Sequence, residues 1–306
     1  LDLKPGLSQQ ETGNLLKNIS KKNISCDDLL CFTGGSFKPH YIPAAVKSLA
    51  SRAEFFTAYT PYQSEASQGF LQAMFEYQSI IAEITSMDVA NCSLYDGVTA
   101  LAEAVLMCSR INRKNEFLIP ENISNEKKSV LKNYCHGPNI KIIEIKCDSK
   151  KGMINISDLE QKINSNVSGF YIENPNYFGI FEENVEKISE ILKKSNILFV
   201  VGSNPISLGL IKSPGEYGAD IVIGEGSCLG NPVDFGGSTL GLFSCKKKYL
   251  RQMPGRIIGL TKDKMEKKAF CMALQTREQH IRRGRATSNI CTNEGLCALS
   301  ACVHLS

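Results

Sequence analysis

The chain of 306 residues contains no tryptophan, only four histidines and no long apolar run. A membrane-spanning helix needs about 20 consecutive apolar residues, so we predict no membrane association. No basic and then apolar leader opens the sequence, which favours a cytoplasmic location. The formal net charge is only +4, which is too small to predict binding to nucleic acid.

Twelve cysteines are many for a chain of this size, but their spacing argues against two common explanations. No pair has the CxxC spacing and the histidines are scattered, so no metal site is expected. Disulfide frameworks are typical of small secreted domains. Cys108, Cys271, Cys297 and Cys302 lie in apolar stretches, where a thiol packs as a small hydrophobic group. We therefore predict reduced thiols.

Short β-rich runs alternate with helical patterns through the middle of the chain. The runs lie at 116–120, 140–146, 168–174, 197–202, 219–224 and 238–244. Several are continuously apolar, as strands buried on both faces are. Strand–helix–strand repeats of this length predict an α/β fold with a mainly parallel central sheet flanked by helices. Ligands of such sheets bind in the loops at the carboxyl ends of the strands.

A long amphipathic helix is predicted at 69–87, in the sequence GFLQAMFEYQSIIAEITSM. Helical spacing puts five apolar side chains on one face: Phe70, Met74, Tyr77, Ile81 and Ile84. We expect this face to pack in the core. Ser64 and Ser67 precede the helix and are candidate caps.

A turn at Asp96 and Gly97 leads into a second predicted helix. Gly97 lets a ligand approach the backbone, Thr99 offers a hydroxyl, and the helix dipole favours an anion. The pattern is compatible with a phosphate site. It also describes an ordinary capped helix, which the local evidence favours.

Two further loops follow predicted strands, at 173–179 and 202–209. Asn176 and Asn204 are placed to line a pocket there, although Asn-Pro turns are common at strand ends in any case. A glycine-rich segment at 230–241 contains Gly236 and Gly237, whose N–H groups either face a ligand or belong to a flexible turn.

A basic cluster follows near the end of the chain, formed by Arg277, His280, Arg282, Arg283 and Arg285. Arginines can bind phosphate or carboxylate through paired hydrogen bonds. Arginines this dense more often form salt bridges at a subunit or domain contact, which is the interpretation favoured here.

Four segments together carry a family resemblance: HYIPAAVKSLASRAEFFTAYTPYQSEASQG, DVANCSLYDGVTALAEA, PGRIIG and QTREQHIRR with TSNICTN. They closely resemble the glycine cleavage system P-protein (glycine decarboxylase) family, and within it the α chain of the two-subunit form. The similarity runs from Leu1 to Ser306. It implies the large domain of a fold-type-I pyridoxal-phosphate (PLP) transferase at 61–306, an interface-forming segment at 1–60, and a missing small carboxyl-terminal domain.

The resemblance also implies an activity and partners. The expected assembly is an α₂β₂ heterotetramer that decarboxylates glycine and passes the aminomethyl group to the lipoyl arm of H-protein. PLP acts as the electron sink for the carbanion left when CO₂ departs. Two alternatives stay open: a non-catalytic scaffold or regulatory subunit, and a self-sufficient PLP enzyme.

The residues that would hold PLP in this chain are missing from the positions the resemblance implies. The Schiff-base lysine is expected eight residues after Asp220, where this sequence has Cys228, and no lysine lies between Lys212 and Lys246. Asn204 stands where a carboxylate should meet the pyridine nitrogen. We therefore expect the β subunit to hold PLP. A nucleophilic role for Cys228 is not favoured, because no histidine lies nearby in the sequence.

These absences give the aromatic stretch FFTAYTPYQSEASQG at 55–69 a different interpretation. Tyrosine is typical of interface cores, since its ring is apolar and its tip is polar. The candidates for an active-site wall or subunit interface are Tyr59, Thr60, Tyr62, Gln63 and Glu65. The alternative is that this stretch packs only inside its own subunit.

Overall fold

The structure is a computed structural model that describes residues 4–25, 28–30, 32, 39–56, 61–290 and 292–306. The chain divides into two compact units, Leu1–Pro39 and His40–Ser306. The predicted segment 1–60 is thus shared between the units, and its interface role stays a prediction.

Helices and strands alternate along most of the second unit, and the first helix of the chain belongs to the first unit. The helices are α1 (Gln9–Ser20), α2 (Ala44–Ala50), α3 (Ala53–Phe56), α4 (Gln68–Ile84), α5 (Gly97–Asn112), α6 (Asn125–His136), α7 (Ile156–Lys162), α8 (Val185–Lys194), α9 (Gln279–Arg282) and α10 (Gly295–Leu305). The strands are β1 (Val89–Ala90), β2 (Glu116–Pro120), β3 (Lys141–Ile145), β4 (Val167–Glu173), β5 (Leu198–Gly202), β6 (Ile221–Glu225), β7 (Gly241–Cys245), β8 (Ile257–Lys262) and β9 (Lys268–Ala273).

The first unit contains α1, which begins with a capping box. The Ser8 N–H donates to Glu11 Oε2 at 2.8 Å, and the Glu11 N–H donates to Ser8 Oγ at 3.3 Å. The apolar side chains of Leu15, Leu16 and Ile19 are exposed. Local capping rather than burial therefore defines where this helix begins.

The central sheet has seven strands in the order β1-β7-β6-β5-β4-β2-β3. The pairs from β3 across to β6 are parallel, whereas β7 is antiparallel to both β6 and β1. The connection at 226–240 contains no α-helix to cross the sheet, which explains why β6 and β7 run in opposite directions. The predicted α/β fold with a mainly parallel sheet flanked by helices is confirmed.

All six predicted strands form, with small shifts at their ends, and all belong to this sheet. Two features were missed. Strand β1 has only two residues, too few to give a pattern. The β8–β9 hairpin shows little alternation of apolar and polar residues in the sequence, because the end next to its turn carries Lys262 and Lys268.

Apolar clusters fill the space between the sheet and the helices that pack on it. Helix α5 is buried around most of its circumference and packs with Phe117 and Phe243 of the sheet. Residues Ile188 and Leu192 of α8 lie in a second cluster with Phe199. The third cluster joins α4 to α10 and to the β8–β9 hairpin. These helices hold the sheet in place and fix the start of α5 beside the end of β6.

The predicted core face of the helix after residue 67 is confirmed. Phe70, Met74, Tyr77 and Ile81 of α4 are buried, and Ile84 is partly buried. Ser67 occupies the position before the helix, but its side chain forms no capping hydrogen bond. Within the described ranges, no helix is both long and apolar enough to cross a bilayer.

Helix α5 buries a carboxyl group among its apolar side chains. Glu103 is 2% exposed, and its Oε2 has no hydrogen-bond partner among the described residues. Burial raises the pKa of the Glu103 carboxyl above its ordinary value, an effect that nearby Arg110 and a hydrogen bond from Ser288 oppose. The Glu103 carboxyl therefore binds a proton more readily in the folded protein than in the unfolded chain.

The variant Glu103→Gln tests whether a negative charge on the buried Glu103 side chain destabilises the folded protein. A carboxyl whose pKa is raised by folding stabilises the protein below its ordinary pKa and loses that contribution as the pH rises through the folded-state pKa. Glutamine carries no charge at any pH. We expect the variant to melt about 2 °C above the parent at neutral pH, and the difference to vanish in acid.

Melting curves across pH check this expectation, with Glu83→Gln on the exposed side of α4 as the control. A difference between the Glu103 variant and the parent that does not change with pH would contradict it.

Candidate functional site

The carboxyl ends of β4, β5 and β6 lie side by side at one edge of the sheet. Directly after β4, the Asn174 N–H donates to the Gly202 carbonyl of β5 at 2.8 Å. The Ser203 N–H donates in turn to the Ile223 carbonyl of β6 at 2.9 Å. The loops after these strands therefore meet where α/β sheets bind ligands, and we take this edge as the candidate site.

The N-terminus of α5 reaches this edge and is bound by two carboxylates of the chain itself. Asp96 caps the helix, and its Oδ1 accepts the Thr99 N–H at 2.5 Å. Glu225, at the end of β6, accepts the Gly97 N–H through Oε2 at 2.9 Å. The two residues of the predicted phosphate cup, Gly97 and Thr99, thus have their N–H groups bonded internally.

Glu225 accepts two further backbone N–H groups. Its Oε1 lies 2.9 Å from the Ser227 nitrogen and 3.0 Å from the Leu240 nitrogen. Burial raises the pKa of the Glu225 carboxyl, and the hydrogen bonds from Gly97, Leu240 and Ser227 oppose that shift. Burial is the larger effect, so the pKa is raised overall, while the three N–H donors stabilise the carboxylate form against it. Sequence reasoning missed this residue, since 128 positions separate it from Gly97.

The two predicted pocket asparagines stabilise their own loops. Asn176 Oδ1 accepts the N–H groups of Phe178 and Ile180 at 3.0 and 3.1 Å. Asn204 Oδ1 accepts the Ile206 N–H at 3.0 Å, at the start of a short 3₁₀ helix. Both are local turns of the kind that Asn commonly forms. A part in lining a pocket stays a prediction for both.

The remaining predicted residues of this edge lie in the loop between β6 and β7. Cys228 is half-buried, and its thiol donates to the Glu225 carbonyl at 3.9 Å. Gly236 and Gly237 have φ values of +117° and +72°, in the left-handed region that favours glycine. They shape a turn beside the exposed Phe235.

An ion pair at the same edge was not anticipated from the sequence. Lys127, in the first turn of α6, forms a salt bridge with the buried Glu173 at the end of β4. The Tyr171 hydroxyl donates to the same carboxylate at 3.0 Å. Burial raises the pKa of Tyr171, which keeps its hydroxyl a donor. No spacing rule connects a helix lysine with a strand-end glutamate, so only the fold reveals the pair.

Tyr62, from the aromatic stretch, lies in a network with residues that follow the basic cluster and with Arg256. Its hydroxyl donates to Asn293 Oδ1 and lies 3.0 Å from Thr292 Oγ1. The Arg256 guanidinium lies 5.3 Å from the centre of its ring, a cation–π distance. Tyr62 therefore packs inside this chain.

The other members of that stretch are distributed differently. Gln63 and Glu65 are exposed, and Tyr59 and Thr60 lie outside the described residues. Phe55 packs on Phe70 of α4, with ring centres 5.9 Å apart. An interface role for Tyr59, Thr60, Gln63 and Glu65 stays a prediction.

The basic cluster separates into a buried and an exposed part. Arg277 is buried, and its guanidinium donates to the carbonyls of Met253 and Gly255. His280 and Arg282 of α9 are exposed, as are Arg283 and Arg285 after it. Arg277 thus supports the backbone at 253–255, and only the exposed members of the cluster are accessible to a partner.

These residues do not fit PLP as a cofactor of this chain. Such a site requires an amine, an anion near the pyridine nitrogen, and free N–H groups for the phosphate. Here Cys228 stands at the amine position that the family resemblance implies, Asn204 Oδ1 accepts the Ile206 N–H, and the Gly97 N–H donates to Glu225. Among the described residues, no group of three or more His, Cys, Asp or Glu side chains could hold a metal ion.

Comparison with known proteins agrees with this fold. A crystal structure of glycine decarboxylase (P-protein) of the glycine cleavage system, in inhibitor-bound form, superposes with a TM-score of 0.92 and 38% identity, over 100% of this chain and 68% of that one. Sphingosine-1-phosphate lyase from Burkholderia pseudomallei superposes with a TM-score of 0.64 at 12% identity, over 99% and 70% of the two chains, a likeness of fold alone. The chain has the fold-type-I architecture of PLP-dependent enzymes.

The sequence comparisons define the family. The probable glycine dehydrogenase (decarboxylating) subunit 1 of Thermococcus kodakarensis is 49% identical over 307 residues, which cover 100% of this chain and 68% of that relative. The glycine cleavage system P-protein family model matches residues 1–306. The chain belongs to the glycine cleavage system P-protein family, and the resemblance found in the sequence is confirmed.

The contrast between Arg277 and Arg282 gives a stability prediction. Arg277→Gln removes charged hydrogen bonds to buried carbonyls, and we expect it to lower the free energy of unfolding by about 3 kcal/mol. The control Arg282→Gln lies on an exposed surface and is expected to change that energy by less than about 0.5 kcal/mol. Urea unfolding of the two variants measures the difference. Equal stability of both variants and the parent would show that Arg277 has no structural role.

Proposed function

We propose that this chain is the α subunit of glycine dehydrogenase (decarboxylating), and that it acts with a β subunit that holds PLP. Family membership over residues 1–306 and the names of the relatives support this assignment. So does the sequence, because Cys228, at the position where the resemblance places the Schiff-base lysine, has no amine with which to hold PLP. The proposed assembly is an α₂β₂ heterotetramer in the cytoplasm.

The proposed reaction is the decarboxylation of glycine and the transfer of its aminomethyl group to the lipoyl arm of H-protein. Bound to the β subunit, PLP supplies an electron sink for the carbanion left by CO₂. This chain contributes a wall that excludes water and helps to orient the partner's site. The Lys127–Glu173 salt bridge holds two charged side chains in place at this edge.

The structural observation that supports binding of a partner is a set of exposed apolar side chains on the loops of the carboxyl edge, which we together call the edge patch. It consists of Tyr177, Phe178 and Phe181 after β4, Ile206 and Leu210 after β5, and Phe235 after β6. Leu210 is 91% exposed and Phe235 is fully exposed. Large exposed apolar patches mark interaction sites, and aromatic residues are enriched in interface cores.

The proposed occupant of the edge patch is the β subunit. The relatives are named as one subunit of an enzyme, which implies a second. The edge patch borders the carboxyl edge of the sheet, so a partner bound there would bring its own site against this edge. The exposed apolar side chains would then become buried, which is the main source of association free energy.

Two substitutions in the edge patch test the docking role. Leu210→Asp and Phe235→Asp each place a charge where the partner is expected to bind, and each should weaken association at least tenfold, about 1.4 kcal/mol. Neither should change the melting temperature of the isolated chain, because both side chains are exposed. Co-elution with the β subunit in size-exclusion chromatography and titration calorimetry measure the effect.

Met265→Asp is the matched control, since Met265 is 67% exposed in the turn of the β8–β9 hairpin. We expect it to bind the β subunit like the parent chain. Unchanged affinity of both edge-patch variants would contradict the proposed docking surface.

A further inference from the structure

The start of α5 is the position in this fold where an anion is expected to bind. A helix of 16 residues presents N–H groups and the positive end of its dipole at the carboxyl edge of the sheet. In α/β folds this arrangement ordinarily receives the phosphate of a ligand. In this chain, a side chain of the protein occupies it.

Glu225 receives hydrogen bonds there from three separate parts of the fold. Its carboxylate accepts the N–H of Gly97 in α5 at 2.9 Å, of Ser227 after β6 at 2.9 Å, and of Leu240 before β7 at 3.0 Å. A phosphate bound here would need the same donors. The Glu225 carboxylate therefore already accepts from the N–H groups that would bind a phosphate.

The space between α5 and β6 is also closed. A Cβ added to Gly97 would lie 3.0 Å from the Glu225 nitrogen and 3.1 Å from Glu225 Cβ. The backbone of the helix therefore packs directly against the strand, with the Glu225 side chain across the helix end.

The local charge opposes a second anion. Asp96 caps the helix through the Thr99 N–H, and the half-buried Glu294 lies close enough to Asp96 for repulsion to add to the effect of burial in raising the Glu294 pKa. A phosphate at this point would meet the carboxylates of Asp96, Glu225 and Glu294. Repulsion between like charges in a partly buried site is strong.

We propose that Glu225 is a built-in anion that takes the place of an external phosphate at the N-terminus of α5. It joins α5, β6 and β7 and closes this chain to the phosphate group of PLP. The missing Schiff-base lysine is then only one of two barriers, and a lysine at position 228 would not restore cofactor binding alone. This inference concerns the isolated chain and does not depend on the proposed partner.

Chemical rescue of Glu225→Ala tests the proposal. The variant should melt several degrees below the parent, because three N–H groups lose their acceptor. Sodium phosphate or sodium acetate should restore at least half of the loss with saturable dependence on concentration, whereas sodium chloride at equal ionic strength should not. A response to either anion supports a vacated anion position.

Two further variants serve as controls. Glu225→Gln keeps the volume of the side chain and should show no specific anion response. Glu182→Ala also removes a buried acceptor, of the N–H groups of Ile154 and Asn184 at 2.7 and 3.0 Å, but away from α5. It should lose stability without anion rescue.

If Glu225→Ala folds only in the presence of anions, the soluble yield on refolding in phosphate or acetate, compared with chloride, replaces the melting temperature. The proposal is overturned if neither anion exceeds chloride in raising the melting temperature or the yield. It is also overturned if Glu182→Ala responds as strongly as Glu225→Ala.

Discussion

The contact between the Glu225 carboxylate and the first turn of α5 is the interaction on which the carboxyl edge depends. It joins the end of β6 to the helix that packs across the sheet, and through Leu240 it also holds the approach to β7. A carboxylate that accepts several N–H groups at a helix N-terminus gains from both the hydrogen bonds and the dipole. The same contact closes the position where a phosphate would otherwise bind.

The polar and apolar residues of this edge are distributed in opposite ways. The side-chain oxygens of Asn176, Asn204 and Glu225 accept hydrogen bonds from backbone N–H groups of the chain itself. The edge patch, in contrast, presents apolar side chains to solvent. A self-sufficient ligand pocket is concave and directs a few polar groups inward. The arrangement here differs from that of such a pocket, which agrees with the proposed site shared with a partner.

The sequence predicted the architecture well because strand burial and helix spacing are local signals. The six runs from 116–120 to 238–244 became strands of one sheet, and the buried face of α4 followed from its period. The antiparallel direction of β7 was not apparent from the sequence. It depends on the connection between β6 and β7, which contains no α-helix to cross the sheet. Family resemblance supplied the lysine position and hence the importance of Cys228, which no periodicity could provide.

The candidate site was harder to predict, because its main contacts join residues far apart in the chain. The Glu225–Gly97 and Lys127–Glu173 pairs are set by the order of the strands, which only the fold defines. Arg277 was grouped with its basic neighbours by proximity in sequence, yet burial separates it from Arg282. Composition identifies such residues as polar but does not indicate whether they face the backbone, solvent or a partner.

The exchange of the carboxyl carbon of glycine with bicarbonate, in the presence of PLP and lipoylated H-protein, tests most directly whether this chain completes the site of a partner. It should be measured for this chain alone, for the β subunit alone and for the mixture. A shared site predicts full exchange only in the mixture and none by this chain alone. Exchange by this chain alone, or by the β subunit alone at the rate of the mixture, would contradict it.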